Sequence, residues 1–139
     1  RTLSQGENRY DPESYHNGSV WPHDNAMIIE GMRKRGFQEE AQKIACALLL
    51  LAAQSEDKRL PELFCGYKKE GKLPKPYAVS CVPQLWCVGA LYQTMTVLLD
   101  LQVSQGDLVV KDRLPSMFQQ VSISGELNNK PVDLVVKRN

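Results

Sequence analysis

From Tyr15 to Asn25 the chain reads Tyr-His-Asn-Gly-Ser-Val-Trp-Pro-His-Asp-Asn, which brings two aromatic rings, both of its histidines, one acid and two amides into a single turn. This mixture suits a pocket for a polar, ring-shaped substrate, with aromatic faces to pack on C–H groups and polar groups to bond hydroxyls. A polar turn leading into a helix would by itself account for Ser19, Pro22 and Asp24. It leaves Tyr15, His16, Trp21 and His23 without a role. A second chemical segment is Arg59-Leu-Pro-Glu-Leu-Phe-Cys-Gly-Tyr67. Glu62 lies there between a proline and an apolar Leu-Phe pair, so a partly buried carboxyl is expected, a candidate general base or acid. Capping of a turn or pairing with Arg59 would explain Glu62 equally well. Two further chemistries are weaker. A metal held by His16, His23 and Asp24 would need ligands spaced across a proline in no regular pattern. Neither histidine is evidently placed to activate Cys65 or Cys81 as a nucleophile. No cofactor is called for.

The elements that must position these groups are helical first. A helix is expected from about Pro22 to Arg35, with Pro22 in its first turn, Asp24 at the positive end of its dipole and Lys34-Arg35-Gly36 closing it. Its apolar face is read as Met27, Ile28 and Met32. A second helix, about Gln38 to Gln54, carries Ala41, Ile44, Ala45, Leu48, Leu49 and Ala52 as one amphipathic stripe. Only Gly36-Phe37 separates the two, which predicts an antiparallel helical hairpin. Residues 55 to 79, with Pro61, Pro74 and Pro76, read as a long loop of the kind that often carries function. A third helix is expected after an N-cap at Ser80, with Pro83 in its opening turn, running to about Leu101. It is apolar nearly all round, so it requires neighbours on both sides. After Gly106 the period becomes alternating. Leu108 to Val110, Gln120 to Ser124 and Pro131 to Lys137 read as short antiparallel strands, with Gly125 to Lys130 as a connecting turn.

Composition limits the partners. With 139 residues the chain can bury a core, and its 17 basic and 16 acidic residues leave a formal charge of only +1. Neither nucleic acid nor an anionic membrane surface is therefore an expected partner. Ala78 to Leu99 has no charged residue, but Pro83, Gln84, Gln93, Thr94 and Thr96 interrupt it, so it reads as a buried helix rather than a membrane span. Cys46, Cys65, Cys81 and Cys87 form no CxxC pair, so free thiols in a reducing cytoplasm are expected. The N-terminus has no signal-peptide core and no initiator Met, and the sequence reads as a piece of a longer product.

Three segments taken in order, Tyr15 to Ala26, Arg59 to Gly66 and Tyr77-Ala-Val-Ser-Cys-Val-Pro-Gln-Leu-Trp86, resemble the C-terminal end of glycogen-debranching, amylo-α-1,6-glucosidase-type proteins. Those are six-hairpin glycosidases. The resemblance implies a mainly α fold, a partial (α/α)6 toroid of about three helices over residues 1–105, with a small C-terminal antiparallel β appendage over 106–139. It implies hydrolysis of α-1,6-glucosidic branch linkages in glycogen-like glucans, with an α-glucan or oligosaccharide as partner. Glu62 matches the general base of related toroid glycosidases in position. Tyr15, His16, Asn17, Trp21, His23 and Asp24 would line the sugar subsite, and Gln84 and Trp86 would complete it. Asp24 has three open roles: acceptor for a sugar hydroxyl, helix N-terminal charge, or catalytic acid. The family's general acid lies on an earlier hairpin, and nothing before Tyr15 resembles one, so the chain is expected to be incomplete for catalysis alone. The alternative is a non-catalytic helical module that binds carbohydrate or associates with itself.

Overall fold

The computed structural model describes the whole chain except Lys69, Lys72, residues 111–113 and Asn139. Pro22 opens helix α1, Pro22–Lys34, where its missing N–H is not needed, and Asp24 in the first turn with Arg33 and Lys34 in the last match the helix dipole. Gly36, at φ +88°, reverses the chain. Phe37 then leads into α2, Gln38–Gln54, with Glu39 and Glu40 in its first turn. The predicted hairpin is present, and α2 buries Ala41, Ala45, Leu48 and Ala52 from the predicted stripe. Helix α3, Leu85–Leu98, packs against both.

Two of the sequence expectations are corrected here. The core face of α1 is not Met27 and Ile28, which are 56% and 51% exposed; it is Pro22, His23, Ala26 and Ile29, with Met32 packed beside them. The helix is apolar on two adjacent faces, and hydrophobicity alone does not say which one meets α2 and α3. Helix α3 also starts later than expected. Ser80 spends its hydroxyl on the carbonyl of Tyr77 at 2.9 Å, while the Gln84 side-chain oxygen accepts from the N–H groups of Trp86 at 2.7 Å and Cys87 at 3.3 Å. Gln84 is therefore the N-cap, satisfying two of the amides that an opening turn leaves free.

Two hydrophobic clusters hold the helices. Ile29, Ala41, Ala45, Leu48, Val97 and Leu98 form one, and Ala52, Leu60, Phe64 and Cys87 form the other, where the 55–79 loop turns inward to seal the far end of α2 against α3. Helix α3 is only half covered: Leu85 and Tyr92 remain 85% and 66% exposed, so the neighbours that its apolar faces call for are present on one side alone among the described residues. No helix among the described residues is long and apolar enough to cross a membrane.

Helix α3 ends before Asp100, which adopts φ +44° and receives an ion pair from Arg33 of α1. The chain turns there into a strand that the sequence reading lacks: its first residue, Leu101, is the expected helix end. Strand β1, Leu101–Ser104, pairs antiparallel with β2, Asp107–Val110, and β3, Gln120–Leu127, pairs antiparallel with β4, Lys130–Lys137. Each hairpin turns on two residues at positive φ, Gln105-Gly106 and Asn128-Asn129, the conformation that suits the twist of the flanking strands. The second turn is thus shorter than the expected Gly125 to Lys130. Along β3 and β4 the half-buried positions alternate, with Val121 facing Val136 and Ile123 facing Leu134. The protein is mainly helical with two small antiparallel sheets at its C-terminal end.

Candidate active site

Two loops and one helix start build the site. The loop before α1 and the loop around Glu62 are joined by reciprocal backbone hydrogen bonds of 2.9 Å between Val20 and Phe64, and Gly66 N–H donates to the carbonyl of Pro12 at 2.8 Å. The approach is so close that a Cβ on Gly66 would sit 1.9 Å from the carbonyl oxygen of Gly18. Glycine at this crossing is a steric requirement. The Glu62 loop is fastened on its other side to the segment leading into α3, because Glu62 N–H donates to the carbonyl of Cys81 at 3.1 Å.

The Glu62 carboxylate is held on both oxygens. The Tyr15 hydroxyl donates to Oε1 at 2.8 Å, and the Cys81 backbone N–H donates to Oε2 at 3.3 Å. Donating to a carboxylate holds the Tyr15 phenol above the usual tyrosine range. A carboxylate has about four lone-pair positions, so each Glu62 oxygen keeps capacity to accept a proton from a water. Glu62 is half-buried, and among the described residues no ion pair joins it to Arg59.

Around Tyr15 the rings form a continuous wall. Tyr15 meets His16 and Trp21 edge to face, each at a centroid distance of 4.7 Å. His16 lies parallel to Trp21 at 5.9 Å, and Trp21 meets the edge of His23 at 5.5 Å. His23 stacks on Trp86, the rings 4.4 Å apart and 17° from parallel. All but the closer His23–Trp86 stack fall within the preferred range for aromatic pairs. Trp21 is oriented from behind: its indole N–H donates to the Ser19 hydroxyl at 2.9 Å, and the fully buried Ser19 donates in turn to the carbonyl of Tyr15 at 2.6 Å. Asp24 is exposed, with its Oδ1 3.7 Å from Nε2 of His23.

Of the residues singled out from sequence, Tyr15, His16, Trp21, His23, Asp24, Glu62 and Trp86 thus come together. Asn17 lies at the exposed edge, where its backbone shapes the turn by accepting from Asp11 N–H at 2.9 Å and donating to the Ser14 hydroxyl at 3.2 Å. Gln84 stands beside Trp86, but its side-chain oxygen is engaged in capping α3. Among the described residues no three side chains of His, Cys, Asp or Glu gather in a way that could hold a metal, the His16, His23 and Asp24 set included. All four cysteines are free thiols.

Three members of the site escaped the sequence reading. Tyr77 meets the Tyr15 ring at 5.6 Å from the opposite loop. Ser19 orients Trp21 as described. Cys87, fully buried on α3, lies with its sulfur 3.2 Å from the carbonyl oxygen of Pro61 and 3.8 Å from Nδ1 of His23. Tyr77 and Ser19 stand inside the motifs already marked, so their positions were visible though their roles were not. Cys87 gave no signal, since a cysteine in an apolar helix reads only as core.

No curated protein matches the chain. Residues 1–80 match the family model described as the mannosylglycerate hydrolase MGH1-like glycoside hydrolase domain. The matched span contains both loops of the site, from Tyr15 through Glu62 to Tyr77, and stops short of α3. On that match, which takes in more than half of its length, the chain belongs to the MGH1-like glycoside hydrolase domain family.

Proposed function

We propose that the chain carries the general base and part of the sugar-binding wall of an inverting glycosidase acting on α-glucosidic linkages, the α-1,6 branch points of glycogen-like glucans among them. The observation that supports this reading best is the doubly held Glu62 carboxylate beside the aromatic wall. Inverting hydrolysis needs a carboxylate able to take a proton from water, and a second carboxyl placed far enough away to leave room for that water. Glu62 fills the first role, and the wall seats the glucosyl ring. The second carboxyl comes from a further hairpin of an (α/α)6 toroid, whose helices would cover Met27 and Ile28 of α1 and Leu85 and Tyr92 of α3. On this reading residues 1–105 are toroid and 106–139 a β extension, and the protein works in the cytoplasm.

The test is Glu62→Gln in a protein that also carries the further hairpins, assayed for sugar release from a branched α-glucan, from isomaltose and from mannosylglycerate, the compound in the family's name. A general base of this kind contributes roughly 10²- to 10⁴-fold, so the variant should lose at least two orders of magnitude. Release from mannosylglycerate alone would move the substrate away from α-glucans. A Glu62→Gln variant as active as the wild type would end the assignment of the base.

A second reading, a carbohydrate-binding or self-associating module without catalysis, is favoured by the exposed apolar side chains of α1 and α3. It predicts sugar binding or a dimer mass in a protein with no hydrolytic activity.

A further inference from the structure

Cys87 is a buried nucleophilic group that touches both sides of the site and that the proposed chemistry leaves idle. It is fully buried, and its neighbours come from each part of the pocket: Pro61 and Glu62 from the base loop, and His23 from α1. The shortest contact, 3.2 Å to the carbonyl oxygen of Pro61, can only be a donation, because a carbonyl oxygen has no proton to give. The single thiol proton is thereby committed. What the sulfur can still offer His23 is a lone pair, so a hydrogen bond across the 3.8 Å to Nδ1 has the ring nitrogen as its donor. Burial pushes the Cys87 thiol up to about 11, in keeping with a sulfur that retains its proton.

We propose that Cys87 is a positioning residue that fixes His23 as the Nδ1–H tautomer while tying the Pro61–Glu62 backbone to α3, so that one sulfur sets the orientation of both sides of the pocket. The consequence lies at the opposite edge of the ring. In the neutral ring a proton on Nδ1 leaves Nε2 an acceptor, and the Asp24 carboxylate oxygen 3.7 Å away is another. Two acceptors so spaced repel each other mildly when empty, and they match two adjacent hydroxyls, each donating to one of them. A vicinal diol on a pyranose ring has that form. The stacked Trp86 holds the imidazole plane in place for the contact. This use of the pair rests on the glycosidase reading; the tautomer assignment does not.

The chain has only two histidines, His16 exposed and His23 buried, so nitrogen-15 NMR of the full chain with labelled histidine resolves the question directly. In the wild type the His23 signals should be those of the Nδ1–H form. Cys87→Ser, whose hydroxyl can donate to Pro61 and accept from Nδ1, should keep that form. Cys87→Ala removes the acceptor, and the ring should change to Nε2–H facing Asp24, with the His16 signals unmoved. Binding of methyl α-glucoside, read from tryptophan fluorescence, should weaken about tenfold in Cys87→Ala, equivalent to one ordinary hydrogen bond, and much less in Cys87→Ser. An Nε2–H ring in the wild type, or an unchanged tautomer in Cys87→Ala, overturns the proposal. Should Cys87→Ala fail to fold, the wild-type tautomer and its retention in Cys87→Ser decide the matter. A wild type that shows the Nδ1–H ring and binds no glucoside supports the positioning role and counts against the glycosidase reading alone.

Discussion

Raising the pH from 8 to 10.5 should remove about 2 kcal/mol of folding stability through Cys87 alone. Burial penalises the thiolate and pushes the thiol up to about 11 in the folded chain, against 9.0 for a solvated cysteine. A folded pKa above the unfolded one means that the stabilisation is fully present below 9 and is lost as the pH rises through 11. At 1.36 kcal/mol per pKa unit the whole difference is about 2.7 kcal/mol, most of which is gone at pH 10.5. Other groups titrate upward in the same region: Cys46 and Cys65 through burial, Tyr15 and Tyr67 through hydrogen bonds to carboxylates, and Lys75 through its bond to Glu13. Urea unfolding of the wild type and of Cys87→Ser at both pH values separates the Cys87 share. Serine does not ionise in this range, so any fixed effect of the substitution cancels when the two pH differences are compared. The wild type should lose about 2 kcal/mol more than the variant. Equal losses in the two proteins would refute the reasoning and place the sulfur in contact with solvent.

Three further outcomes follow from the geometry. Ile29→Ala should destabilise the fold by about 2–5 kcal/mol, while Ile28→Ala, one residue away on the exposed face, should stay within about 0.5 kcal/mol; denaturant midpoints of the two variants check which face of α1 is core. Gly66→Ala should separate the two site loops, since the new methyl cannot coexist with the Gly18 carbonyl, and a loss of several kcal/mol in thermal unfolding together with lost sugar binding is expected. With a thiol reagent under native conditions, the exposed Cys81 should react first and the buried Cys65 and Cys87 only on unfolding, which mass spectrometry of the labelled peptides would report.

What could be read in advance follows the range of the interactions. Helix α2 has its predicted bounds because one stripe, Ala41 to Ala52, carries a period that nothing else in the segment contests. The face of α1 was misread because Met27 and Ile28 are apolar on a side that α2 and α3 leave open. Strand β1 was hidden because Leu98-Leu99-Asp100-Leu101 continues the apolar run of α3; what stops the helix is Asp100 turning to meet Arg33, 67 positions away. The same applies to the site. Glu62 and the aromatic wall stood out by residue type, but the Tyr15–Glu62 bond joins positions 47 apart, and the use of Gln84 as a cap depends on where α3 begins.

The crossing of Gly18 and Gly66 bears on how this protein could change its preferences. Wall and base are brought to each other by main chain: two glycines in contact and a pair of amide-to-carbonyl bonds between Val20 and Phe64. None of those contacts depends on which side chain stands at positions 16, 17, 24 or 86. Mutations there can therefore reshape the wall while its distance to Glu62 stays fixed, as a lathe keeps its centres while the tool is exchanged.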